Sequence, residues 1–188
     1  MGLNKQDKTR LKIDKLLVSF GFVATVALVV IGSLVWWGSN FVTQNVKTEL
    51  SSQKIFFPPK GSAALDPTEF PGLQQYAGQA VDNGPKAKAY ANEFIGAHLK
   101  NIAAGKTYAE VSSLYMASPT NAALKGQAQA LFQGETLRGL LLGDAYAFWT
   151  VGIIAKDIAV TLFVVAAIMG VLTWLGTIHI LVLRSSSK

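Results

Sequence analysis

The side chains able to do chemistry are few and far apart. Cysteine is absent, and the only imidazoles are His98 and His179. A metal or bis-histidine haem site needs several such groups converging on one point. Here the two rings are eighty-one positions apart, and the second sits within a long apolar stretch, five residues before Arg184. Apart from Asp157 at the border of the second apolar stretch, the carboxylates between the stretches (Glu49, Asp66, Glu69, Asp82, Glu93, Glu110, Glu135 and Asp144) are scattered, and no two are marked as an acid and base pair. No Gly-x-Ser-x-Gly, phosphate loop, His-Glu-x-x-His or calcium loop is present. The expectation is a non-enzymatic protein with no catalytic residue, no cofactor and no metal.

The elements that must position these groups are set by two apolar runs. Residues 16–37 (LLVSFGFVATVALVVIGSLVWW) carry no charge over 22 positions, and residues 158–183 carry only His179 over 26. At about 1.5 Å per residue they reach about 33 and 39 Å, against a hydrocarbon core of about 30 Å. Both can span. The first follows a basic stretch, as a cleaved signal peptide would, but its apolar run is too long and no small-x-small site follows Trp36-Trp37. It reads as an uncleaved signal anchor. Lys5, Lys8, Arg10, Lys12 and Lys15 precede the first run, and Arg184 and Lys188 follow the second. Between them ten basic and nine acidic residues nearly balance. The positive-inside rule then puts both termini in the cytoplasm of a plasma (inner) membrane protein and the middle outside. The net charge of +6 lies mostly in the N-terminal tail, which reads as a topology signal touching anionic lipid.

The expected fold is therefore an all-α membrane protein, two transmembrane helices flanking a small extracytoplasmic helical bundle. Residues 1–15 form a basic cytoplasmic tail, 16–37 and 158–183 the spans, 38–157 the outer domain and 184–188 a second cytoplasmic tail. The first helix can run on to about Gln53. Residues 55–85 then hold five of the six prolines and predict a long extended loop. Its Phe56, Phe57 and Phe70 set it apart from a featureless linker and fit packing on its own domain or contact with a partner. Asn83-Gly84-Pro85 predicts a capped helix start, with Ala87, Tyr90, Ala91, Phe94, Ile95, His98 and Ile102 on one face. Gly105 reads as the end of that helix. Thr107 and Glu110 have capping-box spacing, Ser118-Pro119 reads as the next cap, and Gly134 as a turn or kink. No basic stripe interleaved with aromatics suggests nucleic acid.

One segment resists simple assignment. RGLLLGDAYAFW, residues 138–149, is apolar on nearly every side, as in a helix that is buried or in lipid. The adjacent charges of Lys156 and Asp157 favour a headgroup border, which leaves this segment outside the bilayer. Gly139 and Gly143 have the GxxxG spacing that lets another backbone approach. With Tyr146 and Trp149 they form the expected helix-packing or partner face, the simplest neighbour being another helix of the same bundle. His98 reads as a partly buried ring bonded within the bundle. His179 reads as interfacial and hydrated, or, as an ionisable residue in a span, as a group that serves a proton, a ligand or a partner.

In IFFPPKGSAALDP, YAGQAV, GKTYAEVS and GETLRGLLLGDAYAFW the chain resembles a family of small, largely uncharacterised two-span membrane proteins of actinobacteria. The resemblance implies a cell-envelope location. Members sometimes bear the label of aromatic ring-opening dioxygenase. Such an iron enzyme needs a cluster of histidines and carboxylates, and with only His98 outside the membrane this chain departs from it. The functional expectation is an accessory or assembly subunit of a membrane complex, acting through helix packing. Its partners are then the bilayer and another membrane protein or a second copy, with no nucleic acid. The alternative is an extracytoplasmic ligand-sensing module that signals through a separate partner.

Overall fold

The computed structural model describes residues 5–185, with side chains from Thr9 onward. Of the basic residues that set the expected orientation, Lys188 and the side chains of Lys5 and Lys8 lie outside the described residues. The described residues are helical and contain no strand. Six α-helices follow in order: α1 Lys5–Ser52, α2 Gly84–Ala89, α3 Gly96–Ile102, α4 Tyr108–Ala117, α5 Ala122–Leu140 and α6 Ala147–Ser185. A π-turn, Tyr90–Ile95, joins α2 to α3, and a second, Leu141–Tyr146, joins α5 to α6. The helix Ala122–Ser185 is thus continuous over 64 residues.

Two helices are long and apolar enough to cross a membrane, and their most apolar windows are only 6% and 11% buried. A core helix of a soluble protein buries most of such a window. The chain divides into two compact units. One comprises residues 1–40 and 153–188, an antiparallel pairing of α1 and α6. Val18 lies against Gly176, Gly21 against Thr173, Thr25 against Gly170, and Gly32 against Phe163. Ala159 and Ala166 are buried in the same seam, as is Ser39. Small residues let two backbones approach where lipid offers no hydrophobic drive to association. The hydroxyls bond within their own helices, Thr25 Oγ1 to the Gly21 carbonyl at 2.7 Å and Ser33 Oγ to that of Val29 at 2.8 Å. A hydroxyl so satisfied can face hydrocarbon at small cost. Lys156 Nζ lies 5.4 Å from the Trp36 ring centroid.

The other unit, Phe41–Gly152, has a closed apolar core. The proline-rich segment expected to be extended instead runs out and back. Phe57 N–H donates to the Gln79 carbonyl at 2.9 Å, Gly78 N–H to Pro58 at 3.0 Å and Val81 N–H to Ile55 at 2.9 Å. Short 3₁₀ turns, Ala63–Leu65 and Pro71–Tyr76, form its far end, with Pro71 opening the second. Leu65, Leu73 and Val81 are fully buried by this strap. Prolines that cannot donate suit such a path, because few ladder bonds are asked of them.

Local capping signals hold where the side chain reaches the orphan amides. Asn83 accepts from Lys86 N–H, with Pro85 in the first turn. The box at α4 is complete: Thr107 N–H donates to Glu110 Oε2 at 2.7 Å and Glu110 N–H to Thr107 Oγ1 at 3.3 Å. Ser118 does not cap α5. Its own N–H closes the end of α4 on Leu114 and Tyr115, and Asn121, three residues on, accepts from Leu124 N–H instead. Gly134 is no turn either; it lies within α5, where a side chain would strike Leu99 of α3. The end of α3 is a Schellman motif whose left-handed C′ residue is Ala104 (φ 51°), with Gly105 (φ 79°) following.

The box also carries a pH dependence. The Thr107 amide, and after it the Thr107 hydroxyl, hold the Glu110 carboxyl below its ordinary value near 4.5. A carboxylate depressed on folding stabilises fully above the unfolded pKa and loses that stabilisation as pH falls through the folded one. Glu110→Ala is therefore expected to lower the melting temperature at pH 7. Melts repeated between pH 4.5 and pH 2 should show the gap to the parent closing, and a gap that persists at pH 2 contradicts this role.

Candidate docking groove

The segment RGLLLGDAYAFW contains the end of α5, the π-turn and the start of α6. A π-turn pairs N–H groups five residues back, widening the helix and shifting the phase of all that follows. Here it divides the apolar surface between two neighbours. One side faces α2 and the first π-turn. Arg138 Nε donates to the Ala91 carbonyl at 3.0 Å, an oxygen that already takes the Gly96 amide across its own π-turn. Arg138 Nη1 also holds both Glu135 oxygens at 2.9 Å. Trp149 packs so closely on Gly84 that a Cβ there would lie 2.5–2.7 Å from the Trp149 Cγ, Cβ and Cδ1 atoms. Lys88 Nζ donates to the Tyr146 hydroxyl at 3.3 Å and lies 4.7 Å from the ring centroid. That bond and the lysine's charge lower the Tyr146 hydroxyl below its ordinary pKa of 10.0.

The opposite side forms one wall of a groove of about 460 Å³. Leu137, Leu140, Leu141, Asp144, Ala145 and Phe148 recur at helical spacing along it. The facing wall is the end of α1, with Phe41, Val42, Asn45, Val46, Glu49, Leu50 and Gln53 at the same spacing. Leu50 and Leu141 form the floor, at 3% and 2% exposure, while Phe41, Leu140 and Phe148 stand more than half exposed at the rim. Glu49 and Asp144 are the only charged groups in the lining. Among the described residues the ion pairs are Lys86–Asp82 and Arg138–Glu135, so neither groove carboxylate is paired.

The residues singled out from the sequence therefore separate. Gly139 and Gly143 are exposed, with nothing within 4 Å of where a Cβ would stand. The close approach expected there is made at Gly84 and Gly134 instead. Tyr146 and Trp149 pack on α2 of their own domain, so the four do not form one face. The loop aromatics divide too. Phe57 is 1% exposed, stacked on Tyr76 at 5.2 Å and edge-on to Tyr90 at 5.1 Å, and Phe70 is buried against Phe94 and His98. Phe56 faces outward. The His98 ring is exposed rather than partly buried, lies parallel to Phe70 and places Nδ1 2.8 Å from the Phe94 carbonyl. His179 lines a cleft of about 470 Å³ between α1 and α6, together with Asp14, Gly21 and Thr173. Among the described residues no three of His, Cys, Asp and Glu gather as metal ligands would.

Two features escaped the sequence reading. The α1 wall of the groove was legible as apolar positions continuing past Trp37, at Phe41, Val42 and Val46, but nothing local says which helix they face. The small-residue seam was legible as Gly21, Thr25, Gly32 and Ser39 recurring at four- and seven-residue steps. No protein-family model, curated protein or solved structure matches the chain.

Proposed function

We propose that the chain is a two-span inner-membrane protein, both termini cytoplasmic, whose outer helical domain serves as an accessory or assembly subunit of a cell-envelope complex. It acts by helix packing and carries no catalytic centre of its own. The observation that carries this reading is the groove on residues 41–53 and 137–148, an apolar concavity with exposed Leu140 and Phe148 at its edge. Exposed apolar surface of this kind marks interaction sites in proteins that otherwise bury their cores. Both walls are helices about three turns long, which suits a third helix lying between them better than a compact ligand.

The membrane assignment is supported by the almost uncovered apolar windows and by Lys156 meeting Trp36, a cation and an aromatic at the level where an interface is expected. The test is co-purification from native membranes with Leu140→Glu plus Phe148→Glu, beside the control Met116→Glu at an exposed position away from the groove. A partner retained by the parent and the control but lost by the groove variant supports the reading. Equal retention by all three contradicts it.

A further inference from the structure

We infer that the element seated in the groove is a basic amphipathic helix of a partner protein, its apolar stripe on Leu140 and Phe148 and its lysine or arginine side chains on Glu49 and Asp144. The inference rests on the proposed docking role and adds the chemistry of what docks.

Three observations carry it. The walls run about 18 Å along α1 and about 17 Å along α5 and the π-turn, at 1.5 Å per residue. Both present side chains every third or fourth position, so the concavity is a trough between two helical ridges, the shape a third helix fills. The apolar floor and rim demand an apolar stripe from the occupant. Charge settles the other face: two carboxylates and no lysine or arginine line the trough, and both carboxylates lack an ion pair among the described residues. The flanking amides of Asn45 and Gln53 can bond either sign, so they do not offset that bias. An acidic occupant would set like charges beside the exposed Glu49 and Asp144, which repel it.

The experiment uses the full chain in nanodiscs and two synthetic probes, an 18-residue amphipathic Leu/Lys helix and its Leu/Glu counterpart, with binding read by fluorescence anisotropy. The Lys probe is expected to bind and the Glu probe not. Glu49→Gln with Asp144→Asn should weaken the Lys probe by about 2- to 30-fold, as two exposed charge contacts allow, and raised salt should do the same to the parent. Leu140→Gln with Phe148→Gln, which removes the apolar rim without adding charge, should abolish binding while leaving the melt unchanged. Equal binding of both probes, or Lys-probe binding unmoved by the charge variant, overturns the inference of a basic occupant while the docking role stands. Binding that survives the Leu140 and Phe148 changes places the probe elsewhere and also overturns it. So does a dimer of the parent, or a retained lipid seen by native mass spectrometry, that the Leu140 and Phe148 changes remove. In those cases the occupant is a second copy or a lipid. Loss of every partner effect in native membranes as well removes the docking role itself.

Discussion

Phe57→Ala is expected to destabilise the Phe41–Gly152 unit by about 3–5 kcal/mol, whereas Phe56→Ala, one position earlier, should shift it by no more than about 0.5 kcal/mol. The two side chains are chemically identical and differ only in where the strap puts them. Phe57 is 1% exposed, stacked on Tyr76 and edge-on to Tyr90, and its amide is tied to the Gln79 carbonyl. Removing its ring opens a cavity and loses two aromatic pairs worth about 0.5–1.5 kcal/mol each. Phe56 is 57% exposed and forms only the isolated bridge to Ala80 through its backbone. Against a typical domain stability of about 5–15 kcal/mol, the first change is severe. Thermal melts of the full chain followed by near-UV circular dichroism check it. Equal shifts for the two variants contradict the packing of the strap.

A second large contrast is expected among the glycines. Gly84→Leu and Gly134→Leu each force a side chain into occupied space, against Trp149 and Leu99 respectively. Overpacking of this kind costs about 1–3 kcal/mol per site, and more where the neighbour cannot turn aside. Gly139→Leu with Gly143→Leu meets open space at both sites. Replacing a helical glycine gains up to about 1 kcal/mol in propensity, so the double variant should melt at or above the parent temperature. The measurement is again the melting temperature. A double variant that unfolds early would place an unseen neighbour of this chain against those glycines.

What the sequence made legible was what is local. Asn83 and the Thr107–Glu110 box act within one helical turn, so residue type and spacing suffice to find them. The two apolar runs are likewise decided by length. Long-range placement was not legible. Nothing in the dipeptide Phe56-Phe57 says which ring points inward, because that follows from the out-and-back path of the strap and its bonds to residues 78–81. The Gly139–Gly143 spacing suggested a close approach, yet the close approaches fall at glycines whose partners lie on other helices. The π-turns left no readable signal, since any helical sequence tolerates one inserted residue when tertiary contacts hold it. Yet it is the π-turn at Leu141–Tyr146 that explains why residues 138–149 are apolar all round. Arg138, Tyr146 and Trp149 serve the bundle, and Leu140, Ala145 and Phe148 serve the groove.

The most direct test of the groove as a docking surface is site-specific photo-crosslinking in native membranes, with the photoreactive side chain placed singly at Leu140, Phe148, Gly143 and Met116. A discrete protein adduct is expected from Leu140 and Phe148, on opposite turns of the same wall, and none from Met116. Adducts from Gly143 or Met116 with none from the groove positions contradict the assignment of this surface.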